Sequence, residues 1–145
     1  MFRFAPLLLV LGCSDIPDGA DEAVVACTVS HSDPFTLANA RVEANRLELD
    51  VSYTGGCRAQ DWYTCWDGLF EENDPESFSE ANPPRFNVFI GHDDNGDNCD
   101  TDIEAETYRF NLLTVKEAYE STHDNGANRL VIVVEGTTVQ YPFPE

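Results

Sequence analysis

From Arg46 to Tyr53 apolar and polar side chains alternate without a break: Leu47, Leu49, Val51 and Tyr53 against Arg46, Glu48, Asp50 and Ser52. A period of two is that of an extended strand, so the first set faces a core and the second faces away from it. Residues 85–92 repeat the pattern, with Phe86, Val88 and Ile90 opposite Asn87, Phe89 and Gly91. Segments 24–31, 61–66, 107–113, 129–136 and 137–144 are short and rich in β-branched and aromatic residues. Turn-forming residues separate them, and together these features mark strands. Between them, 32–40 (SDPFTLANA) reads as a turn, Gly55 and Gly56 as a break, 67–84 as an acidic excursion ending in Pro83 and Pro84, and 92–104 as a polar connection.

The period changes only in 114–126. Val115, Ala118 and Tyr119 stand at i, i+3 and i+4, one buried stripe on a helix of about two turns. Thr114 and Glu117 have the spacing of a capping box, and Asn125 with Gly126 supplies a stop. About seven short strands with one short helix predict an all-β fold, an Ig-like antiparallel β-sandwich over 24–145. No internal repeat is visible, and the length suits one domain.

Ahead of the first strand the pattern differs in kind. One cation, Arg3, precedes an apolar run from Leu7 to Leu11, then a small residue, Gly12, and Cys13. This is the layout of an export signal. The run is far short of the ~20 residues that cross a bilayer. Val-Leu-Gly-Cys resembles the lipobox of bacterial lipoproteins, in which the cysteine becomes the lipidated first residue of the mature chain. The resemblance implies a signal peptide over 1–12, lipid on Cys13, an acidic flexible tether over 13–23, and membrane attachment through the lipid. Ser14 stands where inner-membrane lipoproteins of that kind carry aspartate, which points to the outer membrane. A secretion signal cut elsewhere, with Cys13 incidental, is the competing reading.

Charge narrows the partners. Twenty-seven acidic residues face eight basic ones, a formal net charge of −19. Such a field repels nucleic acid and anionic lipid surfaces. The one lysine is Lys116 and the arginines form no cluster. A protein or glycan partner and a monomeric state are expected. Disorder does not fit, because the strand segments carry ample apolar residues.

Apart from Cys13 the cysteines are Cys27, Cys57, Cys65 and Cys99. Four in an exported chain imply two disulfides, with three pairings open. Cys57 and Cys99 both lie at loop edges next to strands, which favours joining them and leaves Cys27 with Cys65. Zinc is disfavoured, since no two cysteines are close in sequence and His31, His92 and His123 are dispersed.

Two constellations carry candidate chemistry. HDDNGDNCDTDIE, residues 92–104, offers calcium ligands at Asp93, Asn95, Asp97, Asp100, Asp102 and Glu104. An EF-hand register from Asp93 places Asp93, Asn95, Asp97 and Glu104 correctly. It then puts Asn98 where glycine belongs, and no helix flanks it. GDNCDTD is more similar to the aspartate-rich calcium repeats of thrombospondin type 3, although only one copy is present. The competing reading is an Asn-Gly hairpin turn at Asn95 and Gly96. The second constellation is Tyr53, Trp62, Tyr63 and Trp66, which suits either stacking on sugars or peptides or a place in the core. No Gly-x-Ser-x-Gly is present, oxidised cysteines cannot act as nucleophiles, and no carboxylate pair stands out. A non-enzymatic protein is expected, a secreted hydrolase being the enzymatic alternative, and no cofactor beyond calcium suggests itself.

The order YTGGC, CWDG, HDDNGDNCD and VKEAYES resembles that of small bacterial lipoproteins with a Gly-Gly-Cys turn, a Trp-Asp-Gly step and an aspartate-rich loop. More distantly it resembles the C-terminal β domain of NigD-like proteins. Here the first cysteine of that order is followed by Gln60 and Asp61, where relatives carry an acidic residue and histidine. The likeness implies a fold and a place in the cell envelope, not a reaction.

Overall fold

A computed structural model describes residues 22–27, 32–72 and 76–144. The signal-like segment, Cys13 and most of the tether lie outside them, as does the second half of the expected first strand. Two sheets face each other. The four-stranded sheet runs β1 (Glu22–Ala23), β7 (Thr101–Asn111), β4 (Arg46–Gly55), β3 (Thr36–Glu43). The five-stranded sheet runs β2 (Val25–Ala26), β5 (Asp61–Trp66), β6 (Arg85–Asp93), β8 (Arg129–Val134), β9 (Thr137–Pro142). Helix α1 (Leu113–Thr122) connects β7 to β8.

The core follows the alternation. Leu47, Leu49 and Val51 of β4 and Phe86, Val88 and Ile90 of β6 are buried, while Phe89 on the opposite face of β6 is exposed. Leu130, Ile132, Val134 and Tyr141 extend the packing across β8 and β9, and Val115 and Tyr119 of α1 join it. On the other face of β4 Glu48 is also buried, between Arg109 at 2.8 Å and Arg41 at 2.6 Å. The Arg109 hydrogen bond, then Arg41, holds its carboxyl below the usual range.

Several expectations are corrected. Residues 36–40 are strand, not turn: β3 pairs antiparallel with β4, and a register shift between Leu37 and Asn39 inserts an extra residue. The apolar positions that meet the core are therefore Leu37, Ala40 and Val42, a spacing with no period of two. Strand β7 begins at Thr101, six residues earlier than expected, and hides in the same way. Its register against β4 shifts between Ile103 and Glu106, around Ala105 at φ 57°. The sandwich is not purely antiparallel: β1–β7, β2–β5 and β6–β8 are parallel pairs. β6 and β8 can be parallel because β7 and α1 supply the long crossover that this direction requires. The capping box does not form. No side chain caps the helix at Leu112; Asn111 Oδ1 takes the Leu113 N–H at 2.8 Å, and Thr114 Oγ1 donates to the Val24 carbonyl at 3.1 Å.

The last residues of the expected tether, Glu22 and Ala23, are strand, and with the start of the expected first strand they bridge the two sheets. β1 pairs with β7, β2 with β5, and Val24 between them is buried. This fixes two poles. Arg46, Asn111 and Trp66 lie at the pole beside β1 and β2, named here the tether pole; Gly55, Thr101, Asp61 and Asp93 lie at the other, the loop pole.

Candidate functional site

The loop pole is built by the aspartate-rich connection. β6 and β7 belong to different sheets, so residues 94–100 cross between sheets and are not a hairpin turn. The turn itself is local: Asn95 and Gly96 sit at φ 55° and 67°, and the Asp97 N–H donates to the Asp94 carbonyl at 3.0 Å. Asp93 and Asp94 support it by accepting the N–H groups of Asn95 at 2.8 Å and Gly96 at 2.7 Å.

Asp97 faces inward. Its Oδ1 accepts the Cys99 N–H at 3.0 Å, and its Oδ2 accepts the Cys57 and Arg58 N–H groups at 2.9 Å each and Gln60 Nε2 at 3.1 Å. These backbone donors, Cys99 foremost, hold the carboxyl below the usual aspartate range. The Gly-Gly turn exists to let the carboxylate in: a Cβ on Gly55, at φ 149°, would meet Asp97 Oδ2 at 3.1 Å, and one on Gly56, at φ 95°, would meet Ile103 at 3.0 Å. The disulfide Cys57–Cys99 closes the same junction, and Cys27–Cys65 is the second bridge, both as favoured from the sequence.

Of the calcium candidates, Asp97 thus serves amides. Asn95 Nδ2 donates to the Ala59 carbonyl at 2.8 Å and to Asp61 at 2.9 Å, and Asp102 Oδ1 accepts from Thr54 at 3.2 Å. Asp100 is exposed, and the Glu104 side chain lies outside the described set. No three of Asp93, Asp97, Asp100 and Asp102 bring their carboxylate oxygens together. The acidic group that does converge among the described residues is Asp33, Asp93 and Asp94, whose oxygens lie within 4.8 Å of one another. Such oxygens suit a hard cation, but Asp33 Oδ2 already accepts the Asp94 N–H at 2.9 Å.

Asp97→Asn is expected to lower the melting temperature at pH 7, since its amide nitrogen cannot accept the N–H groups that one carboxylate oxygen holds. The Asp97 pKa is depressed in the folded state, so its contribution is present above the unfolded value near 3.8 and lost as pH falls through the folded one. Melting curves of the two proteins should therefore converge as pH drops from 5 toward 2.

The four aromatic candidates do not share a surface. Trp62 is buried, stacked on His92 at 4.0 Å and tilted against Tyr108 at 4.8 Å, with Phe35 edge-on at 5.3 Å and Tyr53 at 5.7 Å. Tyr63 lies on the other face of β5 over Gly91, where a Cβ would come within 1.8 Å of its ring. Trp66 packs on Phe70 and Phe86 towards the tether pole. His92, the end of a strand as expected, is 1% exposed, with Nε2 2.8 Å from Gln60 Oε1 and Nδ1 3.3 Å from the Asp33 carbonyl.

Of the four, Tyr53 lines a surface cleft. A cleft of about 290 Å³ at the loop pole is lined by Pro34, Phe35, Thr36, Ser52, Tyr53, Thr54, Asp102 and Ile103. Tyr53 donates to Glu106 at 2.6 Å, and burial, then this carboxylate, pushes the phenol up to about 12. Phe35 and Thr36 were not foreseen because their segment reads as a turn.

The fold and this pole define a class: a disulfide-tied all-β sandwich with a small polar cleft at one end. No protein-family model matches the chain, and no curated protein does. A solved structure of an uncharacterized protein from Parabacteroides merdae is similar at 9% identity and a TM-score of 0.46, over 88% of this chain and 65% of that one.

Proposed function

We propose that this chain is a lipid-anchored module of the bacterial cell envelope that binds or scaffolds, with Cys13 as the lipidated residue and the outer membrane as its address. The observation that carries the reading is the pair of disulfides, Cys27–Cys65 and Cys57–Cys99, which belong to an oxidising compartment. They agree with the export-like start of the sequence. Eight residues lie between Cys13 and Glu22, so an extended tether reaches at most ~30 Å. The domain would sit close to the membrane with its tether pole toward the lipid. The net charge of −19 favours partners that are neutral or cationic. The oxidised cysteines and the enclosed His92 support binding over catalysis.

Metabolic labelling with radioactive palmitate in a bacterial host tests the anchor. The wild-type chain should carry label and fractionate with outer membranes, whereas Cys13→Ala should be unlabelled and soluble. An unlabelled wild-type chain would sink the proposal.

A further inference from the structure

We infer that the cleft between Phe35 and Tyr53 is a binding site for a neutral pyranose residue of a glycan. The inference deepens the reading of the chain as a binding module and rests on that reading only for the pole that faces away from the membrane.

A pyranose presents an apolar C–H face and a rim of hydroxyls, and the cleft offers the complement of both. Its apolar wall is Phe35 and Tyr53, and neither ring is free to collapse inward. Phe35 stands edge-on against Trp62 at 5.3 Å, and Tyr53 is tied through its hydroxyl to Glu106 at 2.6 Å. The polar wall comes from strand pairing. Thr36 lies opposite Ser52, and Thr54 opposite Asp102. Among the described residues Thr54 Oγ1 takes Oδ1 of Asp102, at 3.2 Å, and Oδ2 is left to accept from a sugar hydroxyl. Ser52 and Thr36 also line the cleft, and their hydroxyls are of a kind that can donate or accept.

Size and charge narrow the class. About 290 Å³ lies at the low end of small-molecule sites and suits a single ring. A second hollow of about 430 Å³, bounded by Asp33, Leu37 and Glu135, lies across the 34–36 rib and leaves room for a neighbouring sugar. Neither hollow is lined by an arginine or lysine, and Asp102, Asp33 and Glu135 would repel phosphate, sulfate or uronate groups. Position favours access. Tyr53 stands seven residues along β4 from Arg46, ~23 Å at ~3.3 Å per residue, from the tether pole.

The test uses the full-length chain, solubilised in detergent, on immobilised glycans with neutral, amino, sialylated and uronate termini. It should be retained on a subset of neutral glycans. Asp102→Ala and Thr54→Ala should each weaken retention by about tenfold, the loss of one or two hydrogen bonds, while the melting temperature holds. Retention on no neutral glycan, retention confined to anionic ones, or retention indifferent to both substitutions would overturn the site. Cys13→Ala should bind as the wild type does. Loss of palmitate label with binding intact therefore removes the anchor alone, and label without binding removes the sugar site alone.

Discussion

Trp62→Ala is expected to lower the melting temperature by about 10–20 °C, because truncating a buried Trp costs ~3–5 kcal/mol and each kcal/mol is worth ~3–5 °C in a domain of this size. The indole is 7% exposed and sits among four rings, His92 stacked on it and Tyr108 tilted against it, with Phe35 and Tyr53 around it. Removing it leaves a void that these rings cannot fill without moving, since His92 is tied to Gln60 and Tyr53 to Glu106. Trp62→Phe should lose far less. It keeps an aromatic partner for His92 and discards an indole N–H that is buried without an acceptor. Thermal melts followed by near-ultraviolet circular dichroism measure both. An unchanged Trp62→Ala melt would mean that the ring is a surface platform after all.

Legibility in the sequence followed the hydrogen-bond ladder. Where pairing is regular, as along β4 from Arg46 to Val51 and along β6, the apolar set of the alternation is buried, and the polar-face exceptions have their own covers: two arginines over Glu48 and the Tyr63 ring over Gly91. Where a bulge interrupts it, alternation loses its phase. Leu37 and Ala40 differ in parity although both pack on the core, and β7 changes register around Ala105 before Tyr108 reaches it. That is why β3 reads as a turn and the first half of β7 reads as loop. The helix stripe Val115–Tyr119 was legible because it is local, whereas its N-terminus was not: the groups that organise it, Asn111 and the Val24 carbonyl, belong to β7 and to a segment 90 residues away.

The site divides along the same line. The cysteine pairing could be favoured from loop positions alone, because a disulfide requires only that two cysteines meet. The aspartates between His92 and Glu104 suggested ligands because their partners are remote in sequence. Asp97 serves amides 39 and 40 residues earlier, and Asn95 a carbonyl 36 residues earlier. Density of acid in a sequence window does not distinguish a carboxylate that holds an ion from one that holds a backbone turn. The sign of the difference lies in the glycines. Gly55 and Gly56 mark a backbone shaped to receive side chains, Asp97 at the first and Ile103 at the second.

The second large effect is expected from Cys27→Ala/Cys65→Ala, which should destabilise the domain by ~2–4 kcal/mol, near the gain that chain-entropy arguments assign to closing a long loop. This bridge spans 38 residues. Its sister, Cys57–Cys99, spans 42 and carries the same entropic value, yet the two removals should differ in where the structure loosens. At the loop pole Asp97 still binds Cys57 and Arg58 when the sulfurs are gone, so the turn keeps its connection. At the tether pole β2 pairs with β5 at two positions only, and the sulfur bridge is its covalent hold on the sheet. Without it, Val24 can leave the core and release the Thr114 hydroxyl and the Asn111 carbonyl that it engages. Amide exchange should therefore quicken in β1, β2 and the first turn of α1 while β4, β6 and the 94–100 turn stay protected. Uniform loosening would instead mean that the bridge acts only through the unfolded chain. A chain held by lipid at residue 13 would be pulled at this pole, and the bridge stands where that pull enters the sandwich.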